Sequence, residues 1–283
     1  MKIFIDGKFY AKEDAKVSVF DHGLLYGDGV FEGIRIYNGK IFKAKEHIVR
    51  LYESAKAIFL KIEYTQDEME KLLNEAVKVN EKKDGYIRLI VTRGDGPLGI
   101  DPFQCAKSKL IIIVGDITLY PKEFYEKGIE IITSSYRRMP SESLDPRIKS
   151  LNYLNNILAK IEAKQNNYFE SVMLNTKGFV AECTGDNIFT VKNNVIITPP
   201  SYDGALEGIT RNTVLQLANK IGFETREMSL TRYDLYNSNE CFLTGTGAEI
   251  IPVVKIDNNI IGDGVCGNVT KKVILEFRRF VSE

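Results

Sequence analysis

The sequence has no excess of charge of either sign. Its 38 Lys and Arg residues equal its 38 Asp and Glu residues, so the formal net charge is zero at pH 7. A protein that holds nucleic acid or an anionic membrane surface through its overall charge needs a basic balance, which is missing here. We therefore expect neither nucleic acid nor a membrane among the partners of the chain.

Long apolar runs and cysteine motifs are also scarce. The longest apolar run, at 110–114, is too short to cross a bilayer, and the first ten residues contain no apolar segment typical of a signal peptide. The four cysteines form no C-x-x-C pair, and the two histidines form no H-E-x-x-H motif. These absences predict a cytoplasmic protein with free thiols and without a His-rich metal site.

The 283 residues, of which 44% are apolar, can form one large or two ordinary hydrophobic cores. Strand and helix patterns are mixed in the first part of the chain, whereas hairpins dominate the second half. The polar stretch T-L-Y-P-K-E-F-Y-E-K-G interrupts the strand pattern between them. We predict an α/β protein with an N-terminal domain at 1–118, a linker at 119–128 and a C-terminal domain at 129–283.

The segment D-P-R-I-K-S-L-N-Y-L-N-N, at 145–156, contains a lysine that is a candidate catalytic residue. Pro146 disfavours helix at the preceding residue, so Asp145 is predicted in a turn. From about Ser150, apolar residues recur at helical spacing, which places Lys149 where a turn enters a helix. An amine that is partly desolvated there loses its proton readily and can condense with an aldehyde. The alternative is a solvated lysine at the start of a helix.

A glycine-rich loop offers a competing motif. Gly94, Gly96 and Gly99 match G-x-G-x-x-G after a predicted strand, the pattern of a dinucleotide-binding turn. That turn must open a helix, yet Pro97 lies inside the motif and no helical face follows it. We interpret the segment as a loop that lies over a site.

Two further features involve anions and carboxylates. Glu182 breaks the alternation at the end of a predicted strand, just before C-T-G-D-N. The segment L-E-G-I-T-R opens a helix, whose free N–H groups can hold a phosphate, and T-G-T-G ends another strand. A lysine for the aldehyde, a carboxylate for the ring nitrogen and a cradle for the phosphate are the three parts that pyridoxal phosphate requires.

With these residues the sequence resembles the fold-type IV aminotransferases, and within them the branched-chain amino acid aminotransferases. The matching stretches cover nearly the whole chain: Y-G-D-G-V-F-E-G-I-R, H-I-V-R-L-Y-E-S-A-K, Y-I-R, K-S-L-N-Y, A-E-C-T-G-D-N-I-F, T-P-P, G-I-T-R and T-G-T-G-A-E-I-I-P. The resemblance implies a smaller N-terminal α/β domain, a larger β-rich pseudo-barrel domain and pyridoxal 5′-phosphate between them. It also implies at least a dimer, with the loop at 94–101 reaching a neighbour.

The resemblance implies a role for each matching position of the cofactor site. Lys149 would carry the cofactor and move a proton during the reaction, and Glu182 would keep the ring nitrogen protonated. Tyr153 would hydrogen-bond the phenolic oxygen of the ring, and Arg50 would bind the phosphate as a fork-shaped cation. The remaining implied phosphate contacts are Ile209, Thr210 and Thr246.

Substrate recognition is implied in the same way. Tyr86 and Arg88 are two residues apart, so they share one face of a strand. In similar enzymes this pair faces the substrate, while Tyr26 and Phe31 form the wall of the side-chain pocket. Arg88 with Tyr26 would also accept the γ-carboxylate of glutamate. Further implied substrate contacts are Gly33, Arg35, Gly247 and Ala248.

The implied reaction is transamination of L-leucine, L-isoleucine and L-valine with 2-oxoglutarate. Relatives that act on D-amino acids, cleave aminodeoxychorismate or transaminate amines share the pattern of Lys149, Glu182 and Arg50, so they stay open as alternatives. A non-catalytic ligand-binding relative is a further alternative. The Y-x-R motif, absent from most of those relatives, favours the branched-chain enzyme. The chain departs from familiar members at Tyr153, which follows the lysine by four residues rather than five, and at Gly247, where many have alanine.

Overall fold

Alternating residues on both sides of Asp6-Gly7 form a hairpin at the N-terminus. In the computed structural model, which describes residues 1–117 and 120–282, β1 (Lys2–Ile5) pairs with β2 (Lys8–Ala11). Asp6 and Gly7 between them both have positive φ, as a type I′ turn requires. The segment at 17–20, although rich in apolar residues, pairs with no strand in the described part of the chain and exposes its apolar side chains. It leads into α1 (His22–Tyr26).

The next elements complete an antiparallel sheet with two helices. They are β3 (Gly29–Tyr37), β4 (Lys40–Ile41), α2 (Ala44–Ala57), α3 (Gln66–Val79), β5 (Gly85–Thr92), a 3₁₀ turn (Pro102–Gln104) and β6 (Lys109–Gly115). The strand order is β2-β1-β6-β5-β3-β4. Thr65 and Glu68 form a capping box at the start of α3, in which each side chain accepts a backbone N–H of the other residue.

The two faces of this sheet have different roles. One face is buried, with Val30 and Ile34 of β3 and Leu89 of β5 in a core that also contains Leu51 of α2 and Leu73 of α3. Because side chains alternate along a strand, the residues between them point to the other face. That face displays Phe31, Gly33, Arg35, Tyr86 and Arg88.

The remaining elements build a larger mixed sheet with its own helices. They are α4 (Phe124–Lys127), β7 (Ile129–Thr133), α5 (Ser141–Leu144), α6 (Leu154–Gln165), β8 (Glu170–Leu174), β9 (Val180–Cys183), β10 (Asn187–Lys192), β11 (Val195–Thr198), a 3₁₀ turn (Ser201–Asp203), α7 (Ile209–Lys220), β12 (Thr225–Glu227), α8 (Arg232–Tyr236), β13 (Glu240–Gly245), β14 (Glu249–Ile256), β15 (Asn259–Ile260) and α9 (Asn268–Ser282). The strand order is β12-β11-β10-β13-β14-β7-β8-β9, with β15 beside β14. The edge strand β9 also contacts β10, so the sheet curls into the predicted barrel-like form.

The chain divides into two units. Unit 1 comprises Met1–Ile117 and Ile148–Asn152, and unit 2 comprises Thr118–Arg147 and Tyr153–Glu283. The predicted domain boundaries had placed the segment around Lys149 in the C-terminal domain, whereas its backbone bonds group it with unit 1. The predicted end of the first domain, residue 118, and the first residue of the predicted linker, 119, lie outside the described residues. From Tyr120 on, the linker belongs to unit 2: the Tyr120 side chain is buried and donates to Asp186.

The helix after Lys149 begins later than predicted. It starts at Leu154 rather than near Ser150, because the intervening backbone pairs with β3 instead of forming helical bonds. The apolar positions that suggested the helix are largely exposed, with Leu154, Ile157 and Ile161 at 66%, 49% and 46%. Small and polar side chains form the buried side of this helix.

Three sequence expectations concern absences. Within residues 1–117 and 120–282, no helix is long and apolar enough to cross a membrane. In the same part of the chain, no three His, Cys, Asp or Glu side chains are grouped as metal ligands. The four cysteines all lie in described segments and are free thiols.

Candidate active site

The backbone around Lys149 is held on both sides by other elements of unit 1. The N–H of Phe31 donates to the Lys149 carbonyl at 2.9 Å, and the N–H of Leu151 donates to the Gly29 carbonyl at 2.9 Å. The Lys149 N–H donates to Ser54 Oγ of α2 at 3.2 Å. The lysine is therefore attached to the edge of β3 and to α2, in an extended segment rather than at a helix start.

The Lys149 side chain lies on the face of the sheet that carries the predicted substrate residues. Its Nζ is 4.6 Å from the centroid of the Phe31 ring, and the Arg88 guanidinium carbon is also 4.6 Å from that centroid. Arg88 lies opposite Gly33 in the strand register, and Arg35 lies opposite Tyr86. Each of these distances is within the roughly 6 Å over which an aromatic ring attracts a cationic group.

Gly33 has a steric reason to be glycine. A Cβ at this position would lie 1.7 Å from the Tyr86 hydroxyl oxygen, so a side chain here would force the Tyr86 ring out of its position. The Tyr86 ring therefore crosses over β3, and the Arg88 guanidinium carbon lies 5.7 Å from its centroid. The glycine shapes this face without contributing a chemical group.

Tyr26, a predicted wall of the side-chain pocket, contacts the loop at 94–101. It is 38% exposed, and its hydroxyl donates to the carbonyl of Leu98. His22 Nε2 lies 2.8 Å from the Pro97 carbonyl, which fastens the same loop to α1. The segment at 94–101 is thus a loop, as the prolines predicted, and the Tyr26 hydroxyl is engaged in holding it. Its predicted second role, as a donor to a substrate carboxylate, competes with this bond.

Arg50 is oriented by a buried carboxylate that sequence reasoning missed. Glu32 Oε1 accepts from Arg50 Nε at 2.7 Å, and Oε2 accepts from Nη2 at 2.8 Å and lies 2.7 Å from His47 Nδ1. Burial is the largest single influence and opposes ionisation of Glu32, but the charge of Arg50 and the contacts of Arg50 and His47 together outweigh it and hold the Glu32 pKa well below its usual value. Burial also lowers the pKa of His47, which favours a neutral ring that donates to Glu32.

Glu32 had a detectable signal in the sequence. It lies two residues from Val30 and two from Ile34 along β3, and both of these are core residues. Because side chains alternate along a strand, Glu32 is predicted to be buried with them. A buried carboxylate requires a cationic or hydrogen-bonding partner. The fork-shaped donor set of Arg50, one helix away, satisfies that requirement and fixes the plane of the guanidinium.

In unit 2, Glu182 is held at both carboxylate oxygens. Oε1 lies 2.8 Å from Arg138 Nη2. Oε2 accepts from the Leu206 N–H at 2.9 Å and from Asn187 Nδ2 at 3.2 Å. The carboxylate is 5% exposed as a residue, so its charge is desolvated and compensated by these donors. The sequence offered no signal for Arg138, which comes from the loop before α5.

The predicted phosphate contacts lie around the start of α7 and the end of β13, two elements that pack together. Thr210 is buried, and Ile209 and Thr246 are half-buried. The hydroxyl oxygens of Thr210 and Thr244 are buried without a hydrogen-bond partner in the described part of the chain. An unsatisfied buried hydroxyl costs about 1–3 kcal/mol, and a phosphate oxygen bound at the start of α7 would satisfy that of Thr210. The donor set thus fits an anionic phosphate.

The other predicted contacts of unit 2 are placed as follows. Tyr153 is the half-buried residue that precedes α6. Gly247 is half-buried and Ala248 fully buried, in the turn between β13 and β14. The predicted residues thus form two groups: one in unit 1 with Lys149, Arg50 and the β3–β5 face, and one in unit 2 with Glu182 and the start of α7.

Comparison with known proteins finds the same family throughout. A family model described as amino-transferase class IV matches residues 29–256. A protein of Methanocaldococcus jannaschii, provisionally named branched-chain-amino-acid aminotransferase, is 52% identical over 278 residues, which cover 98% of this chain and 96% of that protein. The D-alanine aminotransferase of Bacillus licheniformis is 37% identical over 279 residues, which cover 96% of this chain and 94% of that protein.

Solved structures share the fold over nearly the whole chain. The branched-chain amino acid aminotransferase of Escherichia coli has a TM-score of 0.97 at 36% identity, covering 99% of this chain and 94% of that one. A branched-chain amino acid aminotransferase from T.th., complexed with N-(5′-phosphopyridoxyl)-L-glutamate, has a TM-score of 0.94 at 36% identity, with the same coverage. The predicted fold-type IV α/β architecture is confirmed by these matches.

Proposed function

The chain belongs to the class IV aminotransferase family, and from this premise we propose that it transfers the amino group of L-leucine, L-isoleucine or L-valine to 2-oxoglutarate. The products are the branched-chain 2-oxo acids and L-glutamate. The observation that carries this proposal is the position of the Lys149 amine against Phe31, on the face that also carries Arg88. Relatives named for this reaction match nearly the full chain, and one of their structures holds a phosphopyridoxyl-glutamate conjugate.

The proposed cofactor is pyridoxal 5′-phosphate. When bound, it accepts the amino group and stabilises the electron pair left on the α-carbon. Lys149 is proposed to hold it through the amine and to move the α-proton, while Glu182 keeps the ring nitrogen protonated. Tyr153 is proposed to donate to the phenolic oxygen. The unsatisfied hydroxyl of Thr210 supports a phosphate at the start of α7.

We propose that Arg50 completes the phosphate site together with Ile209 and Thr246. Glu32 fixes the plane of the Arg50 guanidinium, so the N–H groups of Arg50 already have a defined direction before the phosphate binds. Because the Glu32–Arg50 pair is formally neutral, phosphate affinity then depends on directed N–H groups more than on net charge.

The proposed substrate pocket must serve two chemically different side chains. An aliphatic group needs apolar surface, which Phe31 and Tyr86 provide. The γ-carboxylate of glutamate needs a cation, which Arg88 provides beside the Phe31 ring. The other proposed contacts are Tyr26, Gly33, Arg35, Gly247 and Ala248.

A panel of amino donors tests the reaction. With 2-oxoglutarate as acceptor, L-leucine, L-isoleucine and L-valine should give L-glutamate with kcat/KM values at least about 10-fold above those of D-alanine and of an aromatic amine. A pocket that fits one enantiomer and one side-chain size discriminates against other substrates by about 1–3 kcal/mol or more. Coupled detection of L-glutamate measures the rates. Preference for D-alanine would favour a D-amino acid aminotransferase, and preference for the amine an amine transaminase.

The two remaining alternatives are tested by two further assays. Release of pyruvate from aminodeoxychorismate without an amino acceptor would identify a lyase. Binding of amino acids without any turnover, with pyridoxal phosphate present, would identify a non-catalytic relative. Either result would contradict the proposed reaction while leaving the family assignment intact.

Arg88→Leu separates the two uses of the pocket. We expect KM for glutamate and 2-oxoglutarate to rise about 10- to 100-fold, because a charge-assisted hydrogen bond contributes about 1.5–3 kcal/mol. KM for leucine should change less than about 3-fold, since its side chain carries no charge. Steady-state kinetics with each substrate measures both values.

Arg226→Leu is the matched control for Arg88→Leu. Arg226 is an exposed arginine of β12 that forms an ion pair with Glu224, so its loss should leave both KM values unchanged. If Arg88→Leu impaired leucine and glutamate equally, Arg88 would be part of the scaffold rather than a carboxylate receptor.

We further propose a cytoplasmic homodimer or a multiple of dimers. The support for assembly is a group of exposed apolar side chains on segments that are hydrogen-bonded to one another in unit 1: Val19 at 67%, Leu24 at 65%, Leu98 at 69%, Ile100 at 82% and Phe103 at 81%. Such groups mark interaction surfaces. Sedimentation should give a multiple of the 32.0-kDa chain mass, and a monomer would contradict the proposal.

The proposed cytoplasmic location is supported by the four cysteines, which are free thiols and agree with a reducing compartment.

A further inference from the structure

Asn187 connects the two cofactor-binding regions of unit 2. It is the first residue of β10, it is 6% exposed, and it follows Glu182 after a tight turn in which Cys183 N–H donates to the Asp186 carbonyl at 2.8 Å. Neither the family motifs nor the mechanism proposed above assigns it a task. Its side-chain amide nevertheless contacts both the Glu182 carboxylate and the start of α7.

The amide nitrogen of Asn187 closes a ring of hydrogen bonds. Nδ2 donates to the Leu206 carbonyl at 2.8 Å and to Glu182 Oε2 at 3.2 Å, and the Leu206 N–H donates to the same Oε2 at 2.9 Å. Carbonyl and carboxylate oxygens only accept, so the amide nitrogen must be the atom that faces them. This chemistry determines the orientation of the amide.

The amide oxygen faces the residue that caps α7. A Cβ built on Gly208 would lie 2.0 Å from Asn187 Oδ1, so the amide is packed directly on the Gly208 backbone. Gly208 has ordinary extended dihedral angles, φ −69° and ψ 133°, which any residue adopts. A side chain at this position would therefore displace the Asn187 amide, although the backbone conformation itself would accept it. Ile209 and Thr210 follow immediately.

We propose that Asn187 is a positioning residue that sets the spacing between the Glu182 carboxylate and the N-terminus of α7. Its single amide contacts both, so the partner of the ring nitrogen and the donors to the phosphate are held at one fixed spacing. This inference rests on the proposed function, because it uses the same cofactor site. It predicts that one side chain, remote from the reaction, influences both cofactor affinity and ring-nitrogen chemistry.

Asn187→Asp tests the proposal with almost no change in size. The new carboxylate oxygen would face Leu206 O and Glu182 Oε2, both acceptors, so attraction becomes repulsion. We expect the Kd for pyridoxal phosphate, titrated on the apoprotein by absorbance, to rise at least about 10-fold, because two hydrogen bonds at about 1 kcal/mol each are lost. The pH at which the absorbance of the bound cofactor changes should also shift. A merely structural defect would lower the apoprotein Tm without moving this pH.

Asn175→Asp is the matched control in the same unit. Asn175 Nδ2 also donates to a backbone carbonyl, that of Asp203 at 3.1 Å, and its Oδ1 accepts from the Lys177 and Phe179 N–H groups in a hairpin turn. The substitution is chemically the same, but these hydrogen bonds of Asn175 involve neither Glu182 nor α7. We expect its cofactor Kd and its spectral pH profile to match those of the wild type.

A second pair of variants keeps the test decisive if Asn187→Asp folds poorly. Gly208→Ala alone should raise the Kd for pyridoxal phosphate at least about 5-fold, because the new methyl group would displace the amide by steric overlap. In the Asn187→Ala background the amide is absent, so Gly208→Ala should add less than about 2-fold. Equal effects of Gly208→Ala in both backgrounds would overturn the proposal.

The outcomes distinguish this inference from the proposed function. A wild-type chain that bound no pyridoxal phosphate would overturn the function and the inference together. A wild type that binds it normally, with an Asn187→Asp variant of unchanged Kd and unchanged pH profile, would overturn the positioning role alone. Combination with Glu182→Gln adds a direct check: the effect of Asn187→Asp on the spectral pH profile should vanish, since both act through one carboxylate.

Discussion

Lys149→Ala should abolish transamination while leaving the fold intact. We expect turnover to fall by roughly 10⁴–10⁶-fold, the range found when a residue that acts as a nucleophile or its activating partner is removed. The fold should persist because the contacts that hold this segment, to Phe31, Ser54 and Gly29, are made by its backbone. Steady-state assays with L-leucine and 2-oxoglutarate, with circular dichroism as the folding check, measure the two effects separately.

Lys164→Ala is a matched control for this variant. Its Nζ lies 4.3 Å from the centroid of the Phe169 ring, much as that of Lys149 lies over Phe31, but on an exposed surface of α6. The same chemical change there should leave turnover within about 2-fold of wild type. Borohydride reduction and peptide mapping give an independent result: the pyridoxyl label should be on the peptide that contains Lys149. Label on another lysine, or normal turnover of Lys149→Ala, would contradict the assignment.

Glu182→Gln should lower turnover by about 10²–10³-fold, the usual cost of one preorganised electrostatic group. The amide keeps the shape of the carboxylate but not its charge, so the ring nitrogen loses the partner that keeps it protonated. The structure adds a second reason. Both carboxylate oxygens accept from donors, Arg138 on one side and Leu206 N–H on the other, so the new NH₂ group must oppose a donor in either orientation.

Two comparison variants show whether this loss is specific. Glu130→Gln changes an exposed glutamate of β7 that pairs with Lys255, and turnover should stay near wild type. Arg50→Ala should instead raise the cofactor Kd about 10- to 100-fold and slow turnover less once cofactor is saturating. Stopped-flow and steady-state rates at saturating cofactor separate the two patterns. Near-normal turnover of Glu182→Gln would exclude the electrostatic role.

The chain's short-range patterns determined a large part of this protein. The turn at Asp6-Gly7, the capping box of α3 and the loop character of 94–101 depend on neighbouring residues, so they could be predicted from the sequence. The shared face of Tyr86 and Arg88 was equally predictable, because alternation along a strand is a local property of the backbone. The resemblance to class IV aminotransferases rested on the same kind of short motif.

Only the tertiary structure decided how the candidate site residues are held. Apolar spacing predicted a helix from about Ser150, but the backbone around Lys149 pairs with β3, and long-range pairing overrides a local helical pattern. The partners of Arg50 and Glu182, namely Glu32 and Arg138, come from distant segments. No local rule links such residues: a buried charge requires some partner, and which one it finds depends on the packing of the strands and helices that carry them.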